Sequence, residues 1–136
     1  MITLIVGKKG SGKTKTLIDM INKAAKTTSG NIVCIEKGLK MTYDIDYSVR
    51  LIDIESYDIV GFDAFYGFIA GICAGNYDIT EVFIDATLKI GGRDLEAFAN
   101  MIGKLEKLTA ENKVEMVFTV SCDRSELPES VHSYIL

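Results

Sequence analysis

The stretch Gly7-Lys8-Lys9-Gly10-Ser11-Gly12-Lys13-Thr14 has the spacing G-x-x-x-x-G-K-[ST], and its flanks decide how it is read. Ahead of it, Ile2-Thr3-Leu4-Ile5-Val6 is β-branched and apolar, which predicts a buried strand. Behind it, from Lys13 to about Lys26, Leu17, Ile18, Ile21, Ala24 and Ala25 share one face of a helix. Strand, glycine loop and helix in that order bring bare backbone N–H groups and the positive end of a helix dipole to one place. That place suits phosphate oxygens. Gly7, Gly10 and Gly12 permit the tight turn, and Lys8, Lys9, Ser11 and Lys15 complete the cradle. Lys13 is placed to reach the terminal phosphates, and the Thr14 hydroxyl to ligate Mg²⁺.

Read outward from this loop, the chain resembles the P-loop NTPase superfamily. The resemblance implies a nucleoside triphosphate, most often ATP or GTP, together with Mg²⁺. It does not fix the reaction, because kinases, ATPases, GTPases and motor domains share the loop.

A second motif follows at Val82-Phe83-Ile84-Asp85, an apolar strand ending in aspartate. In the superfamily this is the Walker B pattern, whose carboxylate sits beside the loop and holds Mg²⁺, so Thr14 and Asp85 form the expected metal pair. As a bare residue, Asp85 also reads as a helix cap or turn. RecA-like and AAA-type relatives often place a water-polarising glutamate directly after this aspartate. Here Ala86 and Thr87 follow, and a methyl group can neither accept a proton nor orient water. Glu36, ending the strand Asn31–Ile35, is the candidate substitute, with a solvated strand end as its plain alternative. Ser121, ending the strand Val114–Val120, matches in kind the residue that senses the γ-phosphate in those branches. Arg124 is a candidate phosphate contact or arginine finger, with Arg50 and Arg93 as alternatives and a surface ion pair as the plain reading of each. The candidate catalytic set is therefore Lys13, Glu36, Ser121 and Arg124.

The remaining sequence alternates strands and helices. Strands are expected at Asn31–Ile35, Ile79–Ile84, Val114–Val120 and, short and last, Val131–Leu136. Residues 37–54 read as a hairpin arm, the polar and less regular Lys37–Asp46 folding against Val49–Ile54. The apolar run from Ile59 to Ala74 reads as a helix covering the sheet, and Gly92 as the opening of a helix to about Thr109. The βαβ rhythm predicts an α/β fold: a three-layer αβα sandwich on a mainly parallel sheet of about five strands, with ligand at the strands' carboxyl ends. The 136 residues predict one nucleotide-binding domain over 1–136.

Composition narrows the function. A net charge of −4, with no basic stripe outside the loop, argues against general nucleic-acid binding. Cys34, Cys73 and Cys122 are odd in number and lack zinc spacing, so they read as free buried thiols of a cytoplasmic protein. No run is long enough for a membrane span, and the first residues read as a strand rather than a signal peptide. A GTPase is disfavoured: Asn112-Lys113-Val114-Glu115 precedes its strand and ends in Glu, and no D-x-x-G follows Asp85. Three readings stay open: a small ATPase cleaving the β–γ phosphoanhydride, a nucleotide-dependent binding module, and a small-molecule kinase. RecA-like relatives also raise the expectation of self-association or a protein partner.

Overall fold

The computed structural model describes all residues, 1–136. Five strands make one sheet: β1 (Ile2–Gly7), β2 (Asn31–Glu36), β3 (Arg50–Asp53), β4 (Ile79–Ile84) and β5 (Glu115–Ser121). Their order is β1-β5-β4-β2-β3, and every neighbouring pair is parallel. The helices are α1 (Lys13–Thr27), α2 (Phe62–Gly75), α3 (Thr87–Gly91) and α4 (Leu95–Asn112). The molecule is thus α/β with an all-parallel sheet and helices on both faces.

Side-chain alternation along the strands assigns the two faces. Ile5, Ile32, Cys34, Phe83 and Val117 point to one side and pack with Leu17 and Ile21 of α1. Leu4, Val33, Ile35, Val82, Ile84, Met116 and Phe118 point to the other and pack with α2 and α4 through Phe65, Ile69, Phe98, Ile102 and Leu105. Strands apolar on both faces are what a sheet covered by helices on each side requires. Phe65, Phe98 and Phe118 are each 0% exposed, and burial of each such ring stabilises by about 2–3 kcal/mol.

The elements around α3 and α4 differ from expectation in detail. The chain does not enter one long helix at Gly92. Thr87–Gly91 makes a short helix, Gly92 turns with φ 104°, and α4 starts only after Asp94, whose carboxylate accepts the Ala97 N–H at 3.0 Å. That aspartate is a better N-terminal cap than a glycine, which has no side-chain acceptor. At the other end Lys113 adopts φ 55° and closes α4 with its N–H on the Thr109 carbonyl.

Two expected strands are corrected. The hairpin arm over 37–54 does not form: β3 runs parallel to β2, with Val33 opposite Arg50 and Glu36 opposite Asp53. A parallel neighbour needs a crossover, and residues 37–49 supply it by burying Met41, Ile45 and Val49 against the α1 face. Those three apolar side chains, spaced four apart, are why the segment folds back over the sheet. The last strand, expected at Val131–Leu136, is instead a 3₁₀ turn over Glu129–Tyr134 that buries Val131. Only Ile135 bridges to Leu4, and the Leu136 N–H donates to the Leu4 carbonyl at 2.8 Å. No helix is long and apolar enough to cross a membrane.

Candidate functional site

The sheet's carboxyl edge converges on one cleft. Gly7 ends β1 and lies opposite Ser121 of β5. Asp85 immediately follows Ile84 of β4, which lies opposite Phe118 and Ile35, so Asp85 is level with Thr119 and Glu36. By alternation Gly7, Thr119, Ser121, Asp85 and Glu36 all belong to the α1 side of the sheet. A cavity of about 830 Å³ opens there, lined by the glycine loop, Lys13, Thr14, Lys15, Glu36, Asp85, Ala86, Thr119 and Ser121 among others.

The loop is held by its own backbone and by Lys13. Gly10 and Gly12 adopt φ 84° and 86°, conformations that strain any residue with a Cβ. Gly7 abuts the Ser11 hydroxyl, so a side chain there would collide with the loop. Lys13 is only 9% exposed, and its Nζ donates to the Lys8 carbonyl at 2.9 Å and to Ser11 Oγ at 3.5 Å. Its ammonium is thereby fixed inside the loop. α1 begins at Lys13 with no side-chain cap and no acidic residue in its first turn, which leaves its N–H groups directed at the cleft.

Across the cleft stands a hydroxyl–carboxylate chain. The Thr119 hydroxyl donates to Asp85 Oδ1 at 2.6 Å and accepts the Ala86 N–H at 2.9 Å. Thr14 Oγ1 approaches both oxygens of Asp85 at 3.4 and 3.5 Å. Thr14 and Asp85, contributed by elements 71 residues apart, could together hold a hard cation through oxygen alone. No cluster of three or more His, Cys, Asp or Glu offers an all-protein metal cage. Ala86 itself sits at φ 57°, ψ 45°, a left-handed conformation uncommon for alanine. Its N–H is tied to Thr119, so the peptide after Asp85 is locked to β5.

Glu36 is not a solvated strand end. It is 2% exposed, and its carboxylate accepts the Lys40 N–H at 3.0 Å and the Met41 N–H at 3.4 Å. Burial raises its pKa above the ordinary carboxylate value; Asp85 and Asp53 push the same way, and the two N–H bonds oppose them. Asp53 lies one strand beyond and accepts the Gly38 and Glu55 N–H groups.

Ser121 lines the cleft, and its carbonyl accepts from Arg93 at 3.2 Å. Arg93 therefore occupies the cleft, whereas Arg124 opens an exposed 3₁₀ turn over Arg124–Glu126 and does not line it. Arg50, at the start of the edge strand, does not line it either. Cys34, Cys73 and Cys122 are free and buried, with thiol pKa values raised by burial.

The residues that the sequence did not single out are Thr119, Lys37, Lys40 and Lys89. Thr119 had a readable signal: one hydroxyl in the apolar run Val117-Phe118-Thr119-Val120, on the same face as Ser121. The lysines had none, since their convergence depends on the crossover path. Eight of the cleft's side chains are Lys or Arg against three Asp or Glu, in a chain whose net charge is −4. Positive charge is concentrated at the cleft against the sign of the whole molecule. No protein-family model matches the chain, and no curated protein matches it as a relative.

Proposed function

We propose that the protein is a Mg-ATP-binding P-loop domain of the RecA-like, additional-strand type, and a small ATPase that cleaves the β–γ phosphoanhydride. The observation that carries this reading is the pairing of Lys13 inside a positive-φ glycine loop with Asp85 across a cleft rich in cations. The insertion of β5 between the loop strand and the aspartate strand supports the additional-strand type. Thr14 and Asp85 fit Mg²⁺, an ion commonly held by one or two carboxylates plus substrate phosphates. The ion, when bound, neutralises charge on the phosphate oxygens. The chain's own groups do the rest: loop N–H groups and Lys13 orient the phosphates, and Thr119 orients Asp85. Glu36, whose carboxylate lines the cleft, is the candidate to take a proton from an attacking oxygen.

A second reading has its own observation. Ala86 stands where a water-polarising glutamate is common, and its backbone is locked to Thr119. That arrangement fits a nucleotide-dependent binding module with slow intrinsic cleavage. Direct binding of ATP and GTP, run beside single-turnover hydrolysis with Mg²⁺, separates the two. Tight binding with turnover that Glu36→Gln abolishes establishes the ATPase; tight binding without turnover establishes the module; no binding of either nucleotide overturns both.

A further inference from the structure

Three lysines lie at the end of the cleft away from the glycine loop. Lys37 and Lys40 belong to the crossover that leaves β2, and Lys89 belongs to α3; all three line the cavity. β2 is three strands from β1, so Lys37 is displaced sideways from Gly7 by roughly 14 Å at ordinary strand spacing. Asp85 lies between the two groups. The loop lysines and the α1 N-terminus therefore serve one end of the cavity, and Lys37, Lys40 and Lys89 the other.

These cations are gathered rather than spread. Lys37 Nζ donates to the Lys89 carbonyl at 3.3 Å, which holds the two lysine-bearing segments together. The molecule's ion pairs are Met1 with Glu115 and Lys15 with Asp19, so none of the three lysines is held in an ion pair. The segment that carries Lys37 and Lys40 is also fixed: Glu36 accepts the Lys40 and Met41 N–H groups, and Asp53 accepts the Gly38 N–H at 2.8 Å. Three ammonium-bearing side chains lining one end of a cavity, none held in an ion pair, attract an anion.

We propose that Lys37, Lys40 and Lys89 form a second anion subsite that binds a phosphate-bearing small molecule alongside the nucleotide. The subsite rests on the nucleotide reading only for what occupies the other end of the cavity. A small molecule is favoured over nucleic acid because the lysines face a concave cleft in a chain of net charge −4 rather than an extended basic stripe. Glu36 ends β2 directly before Lys37 and so belongs to the lysine end of the cavity.

The test uses inorganic pyrophosphate as probe. Its binding to the full chain is measured by calorimetry with the nucleotide end filled by a non-hydrolysable Mg-ATP analogue. One further equivalent of pyrophosphate is expected. The double change Lys37→Gln and Lys89→Gln, and separately Lys40→Gln, should weaken that equivalent by about tenfold, the effect of losing a charge-assisted bond. Affinity for the analogue should stay unchanged. Absence of the further equivalent overturns the subsite, as does equal weakening of both ligands. Binding of a single-stranded oligonucleotide at these lysines without pyrophosphate binding also overturns it, in favour of nucleic acid. If the analogue fails to bind while pyrophosphate binds and depends on Lys37 and Lys89, the nucleotide reading falls and the subsite stands.

Discussion

The Thr119 hydroxyl lies 2.6 Å from Asp85 Oδ1 while accepting the Ala86 N–H at 2.9 Å, so one buried side chain fixes both the carboxylate and the peptide that follows it. Thr119→Val keeps the shape and removes both bonds. The Ala86 N–H then loses its partner, and stability should fall by about 2 kcal/mol. Nucleotide affinity should fall more in the presence of Mg²⁺ than in its absence, because Asp85 is no longer aimed. Urea denaturation and titrations with and without Mg²⁺ report the two effects. Equal loss under both conditions would detach Thr119 from the metal.

Lys13→Ala should weaken triphosphate binding by about a hundredfold, since it removes a charged donor from the loop. The thermal midpoint should stay near that of the parent chain, with Lys13→Met as the control that keeps the buried stem. Calorimetric titration and a melting curve are the measurements. An unfolded variant, or one with undiminished affinity, would mean that Lys13 serves the fold and not the ligand.

Stability should also depend on pH through Glu36. Its carboxyl is harder to ionise in the folded chain, so it holds its proton more tightly there than when unfolded. Its stabilising contribution is complete below the ordinary value of 4.5, declines as the pH rises past it, and is gone above the raised folded value. Glu36→Gln should flatten this decline as the pH rises above 4.5. Urea midpoints across that window would run parallel for the two proteins if Glu36 were not responsible.

At Gly91, α3 packs closely on Phe62 of α2. A Cβ there would overlap the Phe62 ring, which in turn packs on Phe98 with centroids 5.9 Å apart. Gly91→Ala should cost about 1–3 kcal/mol through overpacking. Gly103→Ala, in α4 where a Cβ meets nothing within 4 Å, should instead stabilise by about 1 kcal/mol. Chemical denaturation of the two variants should move in opposite directions.

What the sequence made legible and what it hid follow one division. β1, β2, β4, β5 and α1 were readable because each is a dense apolar or periodic run, and burial on a covered sheet demands such runs. The glycine loop was readable because positive-φ positions admit little besides glycine, as Gly10 and Gly12 demonstrate. The segment 37–54 misled because apolar and polar residues alternate from Met41 to Val49, the pattern of a strand. Its fold is decided by three isolated apolar side chains, Met41, Ile45 and Val49, whose partners lie on α1 and the sheet. The short helix α3 was missed because five residues, Thr87–Gly91, are too few to show a helical period. Arg124 and Arg93 could not be ranked from sequence, because three-dimensional reach into the cleft separates them and strand order sets that reach.

The placement of β5 has a consequence for the order of events at the ribosome. β1 is joined to a strand far along the chain: the Met1 amino group donates to the Val114 carbonyl, 113 residues away, and β5 separates β1 from β4. A nascent chain that already carries Gly7 through Thr14 and Asp85 still has no partner for β1 and no Thr119. The cleft therefore cannot be complete until β5 lies between β1 and β4. Long-range pairing of this kind slows folding. A partly synthesised chain that stops short of β5 holds the motif without the site.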